Sequence, residues 1–195
     1  MQRLFLFLAL VPFSLFAYSD VIYTGFYGFG STQGSVQDDS LPLYTPYDQK
    51  FSGYGIRFGG ESNLGRRHLW KTRYEVALEQ RDVVYTTGWG SETEGAEQHL
   101  KLSYYIGRNL DLFLTDELTL FFKAGFNYSR GDETENGSNF ALGLSMVYAF
   151  RWGELQFGID KEYQDWDGTK IIPIRNMEES DGDAVIPYGG FNIRF

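Results

Sequence analysis

The stretch that decides the fold is residues 184–195, AVIPYGGFNIRF, which reaches the last residue of the chain. Counting in twos along it separates two registers: Val185, Pro187, Gly189, Phe191, Ile193 and Phe195, against Tyr188, Gly190, Asn192 and Arg194. A period of two with one apolar and one mainly polar face predicts a β-strand. The alternation alone leaves two settings open, because such a strand could close a soluble β-sandwich or a membrane barrel.

The amino terminus has the three parts of a secretory signal peptide. A basic start, Met-Gln-Arg, precedes the apolar run 4–16, and small residues follow at Ala17 and Ser19. This order predicts a signal peptide over residues 1–19, cleaved before Asp20. The apolar run is too short to cross a bilayer as a helix, and Pro12 interrupts it. The remaining residues, 20–195, are predicted to form one domain.

Composition narrows the class of protein. The chain has 195 residues, a length that suits one barrel or sandwich. Aromatic residues make up 18% of it, yet the mean hydropathy is only −0.32, as expected when apolar surface is confined to a narrow band. The absence of Cys excludes disulfides and thiolate metal sites. The formal net charge of −9 argues against nucleic acid as a partner.

The alternating segments predict eight strands, each long enough to cross a bilayer when tilted. They are residues 21–30, 51–60, 69–85, 97–108, 118–130, 139–152, 154–166 and 184–195. The first has aromatics on both faces, so its register stays open. Polar connections at 33–49, 86–96, 131–138 and 167–183 alternate with shorter ones at 61–68, 109–117 and 152–154. This pattern predicts an all-β, eight-stranded, antiparallel up-and-down transmembrane barrel with short periplasmic turns and longer extracellular loops.

The polar faces of these strands carry charges of both signs. An eight-stranded barrel is only wide enough for side chains to fill it, so these charges are expected to pair inside. The predicted interior charge network is Arg57, Arg73, Glu75, Lys101, Lys123, Asp160, Glu162 and Arg194, with Lys71 and Glu79 on the same faces. Phe51, Tyr105 and Phe121 are the only clear inward aromatics by this reading, which predicts a closed polar lumen.

The four tryptophans fall near strand ends. Trp70 and Trp152 map to the periplasmic rim, and Trp89 and Trp166 to the outer rim. Indole rings concentrate at both interfaces of a bilayer, so this placement predicts an aromatic girdle and puts the apolar face outside.

Together, these features resemble the small eight-stranded outer-membrane barrel superfamily, which includes the transmembrane domain of outer-membrane protein A, the Opa and Ail/OmpX-type adhesins, and OmpW-like proteins. The resemblance covers the chain after the signal peptide. It implies that Gly189, Phe191, Ile193 and Phe195 form the barrel-assembly signal. It also implies an outer-membrane location with both termini periplasmic. The implied partners are membrane lipids, lipopolysaccharide and the assembly machinery. No peptidoglycan-binding domain follows the last strand, which departs from full-length outer-membrane protein A.

The resemblance leaves three kinds of function open. We expect a monomeric structural or adhesin-like protein whose acidic loops meet an extracellular ligand, with no enzymatic activity, cofactor or metal. The first alternative is a lipid A-modifying enzyme, for which His99 and Ser103 share the inward face of strand four; His68 lacks the His-x-Ser pair of PagL-like barrels. The second is an OmpW-like conduit for small hydrophobic molecules. The acidic stretch 178–183 has oxygen ligands suited to Ca²⁺ or Mg²⁺, but not the spacing of an EF-hand.

Overall fold

The structure, a computed structural model, describes residues 19–38, 47–64, 69–86, 92–110, 117–131, 136–166, 169–172, 175–177 and 180–195. The predicted signal peptide falls outside these ranges except for Ser19, and it stays a prediction. So do the roles given to His68 and Trp89, which also lie outside the described residues. The side chain of Trp166 is likewise not described, although its backbone is.

The described chain is built from antiparallel strands. They are β1 (Val21–Asp38), β2 (Tyr47–Leu64), β3 (Trp70–Thr86), β4 (Glu92–Asn109), β5 (Glu117–Gly131), β6 (Asn136–Phe150), β7 (Gly153–Trp166), β8 (Thr169–Ile172), β9 (Arg175–Met177) and β10 (Ser180–Arg194). Eight of them close into a barrel in the order β1-β10-β7-β6-β5-β4-β3-β2, while β8 and β9 form a separate two-stranded sheet. The predicted eight-stranded up-and-down barrel is therefore confirmed.

Most strands are longer than the hydrophobic alternation indicated. β1 and β2 extend well into the predicted loop 33–49, and β4 begins at Glu92 inside the predicted loop 86–96. The prediction of a single acidic loop over residues 167–183 was also wrong, because this segment contains β8, β9 and the start of β10. Backbone pairing explains these differences: a ladder can continue through polar residues once neighbouring strands hold it in register. The sixth strand, in contrast, was predicted to be too long at its end. Residues 151 and 152 belong to the turn after β6.

The barrel closes where β10 pairs with β1. Phe26 lies opposite Phe191, and Tyr23 lies opposite Arg194. The seam reaches the final residue, since the Phe195 amide donates to the Ile22 carbonyl at 2.8 Å. Between Gly28 and Gly34 the register shifts, as at a β-bulge. We call the end that carries Val21 and Arg194 the terminal end, and the opposite end the far end.

Pleating sorts the side chains into two opposite environments. Apolar residues project from the outer wall, and among them Phe126, Leu144, Phe157 and Phe122 are each about half exposed. Polar and charged side chains occupy the lumen. In β1, whose register the sequence left open, Tyr23 and Phe29 point inward and Phe26 outward. No helix in the described ranges has the length and hydropathy to cross a bilayer.

Candidate functional site

The lumen buries many charges, nearly balanced in sign. Among the described residues, six basic and seven acidic side chains are less than a tenth exposed. They are Arg57, Lys71, Arg73, Arg81, Lys101 and Lys123, with Glu61, Glu75, Glu79, Glu97, Glu154, Asp160 and Glu162. A buried charge is costly unless it is paired and hydrogen-bonded, so the way these groups are partnered decides what the lumen can do.

Arg73 organises the terminal half of the lumen. Its two terminal nitrogens donate to the two carboxylate oxygens of Glu154 at 2.7 and 2.8 Å, an end-on fork. One of them also donates to Glu61 at 2.7 Å. Lys71 donates to Glu61 at 2.9 Å and also to Glu117. With Arg194 at the rim, 3.5 Å from Glu61, three cations face three carboxylates at this end. We call Glu61, Lys71, Arg73 and Glu154 the terminal cluster.

Arg81 has the corresponding position in the far half. Its Nη2 donates to both oxygens of Glu162 at 2.9 and 2.8 Å, and its Nε donates to Glu79 at 2.5 Å. Lys101 lies 2.8 Å from both of these carboxylates. We call Glu79, Arg81, Lys101 and Glu162 the far cluster.

The two arginines form parallel struts across the barrel. Both lie on β3 and both reach a glutamate on β7, which is the strand opposite β3 in the barrel order. Aromatic rings lie over each guanidinium. Arg73 stacks on Tyr23 and Phe121 at 4.4 and 5.1 Å, and Arg81 on Phe51 and Phe29 at 4.9 and 5.6 Å. Such contacts stabilise a desolvated cation beyond its ion pairs.

A third set of charges lies between the struts. Lys123 donates to Asp160 at 2.6 Å, and Glu75 accepts from the hydroxyls of Tyr23 and Tyr105 at 3.1 and 3.0 Å. A cavity of about 10 Å³ lies among the residues that join these sets, including Arg57, Lys101 and Tyr188. That volume is about one water molecule. This cavity therefore has no space for a larger guest.

The structure brings the predicted interior charges together. Seven of the eight are buried in the lumen: Arg57, Arg73, Glu75, Lys101, Lys123, Asp160 and Glu162. Arg194 lies at the terminal rim, 3.5 Å from Glu61, with its side chain 17% exposed. Sequence reasoning missed Glu61, Arg81, Glu97 and Glu154. The signal was present for Arg81 and Glu97, since they continue the inward registers of β3 and β4 past the apolar run.

The expectation of only three inward aromatics was wrong. Besides Phe51, Tyr105 and Phe121, the lumen also buries Tyr23, Phe29, Tyr85 and Tyr188. Several of them form an apolar patch on the adjacent strands β10, β1, β2 and β3, together with Ile186 and Val83. Tyr23 and Phe29 were overlooked because aromatics on both faces of β1 hide its alternation. Tyr85 and Tyr188 lie in registers that the sequence already predicts to be polar and inward.

The other predicted residues lie on the outer wall or at its ends. Trp70 and Trp152 are exposed near the terminal end, and Trp152 packs on Phe191 with ring centroids 5.9 Å apart. Ile193 and Phe195 also point outward. Gly189 lies beside the ring of Phe157. The roles of these residues in a girdle or an assembly signal stay predictions.

The hydrogen-bond partners of His99 do not include Ser103, with which it would have to pair in an enzyme. Its ring nitrogens lie 2.9 Å from Glu97 and 2.9 Å from Asn127. Within the described ranges, no three His, Asp or Glu side chains are placed to hold a metal ion.

Comparison with known proteins gives little further information. No protein-family model matches the chain, and no curated protein matches it. Among solved structures, the chain is similar to the crystal structure of Ail, the attachment invasion locus protein of Yersinia pestis, at 13% identity over 90% of this chain and 97% of that one. The TM-score of 0.16 is too low for the likeness to carry an argument. The class of protein is therefore defined by the fold alone, a closed eight-stranded antiparallel barrel.

Proposed function

We propose that this chain is an integral β-barrel protein of the bacterial outer membrane, with both termini periplasmic and a structural or adhesin-like role at the cell surface. The observation that carries the proposal is the inverted distribution of polarity. Leu, Ile and Phe side chains are exposed around the outer wall, while thirteen charged side chains are buried inside. A water-soluble barrel would place these groups the other way round. Hydrocarbon is the solvent that suits such an outer wall.

The packing inside the lumen favours a closed barrel and argues against a conduit for small molecules. The Arg73–Glu154 and Arg81–Glu162 struts cross the interior at two levels. The apolar patch around Phe29 and Ile186 lines one wall only, and it faces these charges. We therefore assign function to the far end, where an extracellular ligand and lipopolysaccharide would meet the connecting segments, and none to transport through the barrel. Resolved, sustained openings in a planar bilayer would contradict this assignment.

An arginine placed in the outer wall tests the membrane location. Leu144 is half exposed on β6, between Ile159 and Phe122 on the neighbouring strands. Because this position would face hydrocarbon, Leu144→Arg should destabilise the barrel in lipid vesicles by about 2–4 kcal/mol. Urea titration monitored by tryptophan fluorescence measures the change.

Ser138→Arg is the matched control. It lies on the same strand and the same outer face, but near the far end opposite Asp165. It should cost at most about 0.5 kcal/mol, as is usual for surface substitutions. The membrane proposal fails if Leu144→Arg is as stable as Ser138→Arg and the unmodified chain is monomeric in water without detergent.

Deletion of the gene tests the role at the surface. We expect altered binding to host surfaces, with unchanged lipid A acylation and unchanged permeability. A changed lipid A acylation pattern would instead indicate the enzyme class, and a selective loss of uptake of small hydrophobic molecules would indicate a conduit.

A further inference from the structure

The far half of the lumen contains a hydrogen-bonded chain that the struts do not use. The Tyr85 hydroxyl donates to Glu97 at 2.5 Å, Glu97 lies 2.9 Å from His99 Nε2, and His99 Nδ1 lies 2.9 Å from the Asn127 amide nitrogen. All four side chains are at most 2% exposed. They come from β3, β4 and β5, so the chain ties three adjacent strands together at the far end.

The contacts define the state of the imidazole. Asn127 Nδ2 can only donate, so His99 Nδ1 accepts and the ring proton is on Nε2, which donates to Glu97. Asn127 Oδ1 is buried and has no hydrogen-bond partner. A half-turn of this amide would place Oδ1 opposite His99 Nδ1, where it could accept a hydrogen bond from a protonated ring.

The charges around His99 are not balanced. The cations that face it are Arg81 on β3 and Lys101 on β4. The carboxylates are Glu79 on β3, Glu97 on β4 and Glu162 on β7. Tyr85 is the other titratable neighbour, and the β5 side chains Asn127 and Ser129 are uncharged. Three carboxylates thus face two fixed cations, whereas at the terminal end three carboxylates meet three cations.

We propose that His99 is a proton-binding site, in which uptake of one proton at Nδ1 is coupled to a half-turn of the Asn127 side chain. The proton comes from water at the far end and is held as Nδ1–H donating to Asn127 Oδ1, while Nε2–H continues to donate to Glu97. The imidazolium supplies the third positive charge that the far half lacks. The amide keeps one hydrogen bond to the ring, because Oδ1 gains its partner as Nδ2 loses its own. Acidification then tightens this end of the lumen.

Nuclear magnetic resonance of the barrel in detergent micelles tests the proposal. The chain has two histidines, so His68→Gln leaves the His99 ring as the only imidazole signal. As the pH is lowered through the range in which the barrel remains folded, the ¹⁵N shifts should move from those of a ring protonated only at Nε2 to those of a ring protonated at both nitrogens. The side-chain amide signal of Asn127 should change with the same midpoint.

Glu97→Gln is the matched variant. It keeps an acceptor for Nε2–H but removes the unbalanced charge, so the titration midpoint of His99 should move to lower pH by about one unit or more. Two results would overturn the proposal. One is a His99 ring that stays neutral throughout the range in which the barrel remains folded. The other is a ring that titrates while the Asn127 signal does not change.

Discussion

The two halves of the lumen contain similar ion-pair clusters but differ in their balance of charge. In each half an arginine on β3 reaches a glutamate on β7 and is covered by aromatic rings, and in each a lysine shares the carboxylates. The terminal half is balanced and its arginine binds end-on through two nitrogens. The far half has one more carboxylate than it has cations. Each arginine has one nitrogen without a hydrogen-bond partner, Nε in Arg73 and Nη1 in Arg81, so the two halves differ in charge and not in this respect. The terminal half therefore leaves no carboxylate in excess, whereas the far half leaves one, and this is where we propose that a proton binds.

Removing either arginine is expected to have the largest effect. Arg73→Met and Arg81→Met should each lower the free energy of unfolding by about 3–5 kcal/mol, because each leaves buried carboxylates without the cation that pairs with them. Arg81→Met should be the more damaging, since it leaves three carboxylates facing Lys101 alone in the far half. Urea unfolding in lipid vesicles at one pH measures both.

Arg130→Met is the control for lost positive charge, because Arg130 is exposed near the far end. It should change stability by at most about 0.5 kcal/mol. Equal losses for Arg73→Met and Arg81→Met would show that the extra carboxylate carries no energetic consequence, and the comparison between the two halves would fail.

Two tyrosine hydroxyls sharpen the comparison. Tyr85→Phe removes a donor at 2.5 Å from Glu97 in the far half, and hydrogen bonds to charged groups contribute about 1.5–3 kcal/mol. Tyr105→Phe removes a donor from Glu75, which keeps Tyr23 at 3.1 Å and Arg57 at 3.8 Å. We therefore expect Tyr85→Phe to lower the free energy of unfolding more than Tyr105→Phe. The opposite order would show that Glu97 is satisfied by His99 alone.

The smallest expected effects come from two glycines. An added Cβ at Gly59 would lie 2.2 Å from the tip of the Tyr23 ring, whereas one at Gly30 would meet nothing within 4 Å. Tyr23 is held in place by its hydrogen bond to Glu75. Gly59→Ala should therefore cost about 1–3 kcal/mol by overpacking, and Gly30→Ala at most about 0.5 kcal/mol. A loss at Gly30 as large as that at Gly59 in the same unfolding assay would contradict this order.

The fold could be predicted from the sequence because alternation is a local property. Each of β2, β4, β5, β6 and β7 shows its apolar face within about ten residues, and an even number of such strands closes into a barrel. The limits of the strands could not be predicted in this way. Pairing across β1 and β2 continues through Lys50 and Gln33, whose side chains carry no strand signal of their own.

The lumen could be predicted only in part. Arg57, Lys123 and Asp160 were found from alternation, because each lies among apolar neighbours that mark the opposite face. Arg81 and Glu97 lie beyond the apolar run, where polar residues fill both faces, so only the register continued from that run places them inside. Tyr23 lies in a strand with aromatics on both sides, so only its pairing with Gly59 and Arg194 fixed its direction.

The sequence by itself determined which residues share a face, and hence that polar and apolar groups lie on opposite sides of one sheet. Only the tertiary structure decided which charges meet, because Arg73 and Glu154, or Arg81 and Glu162, come from strands on opposite sides of the barrel. The physical reason is closure. The stagger of the strands when the sheet joins its own edge sets the height of every side chain in the lumen, and no local pattern contains that quantity.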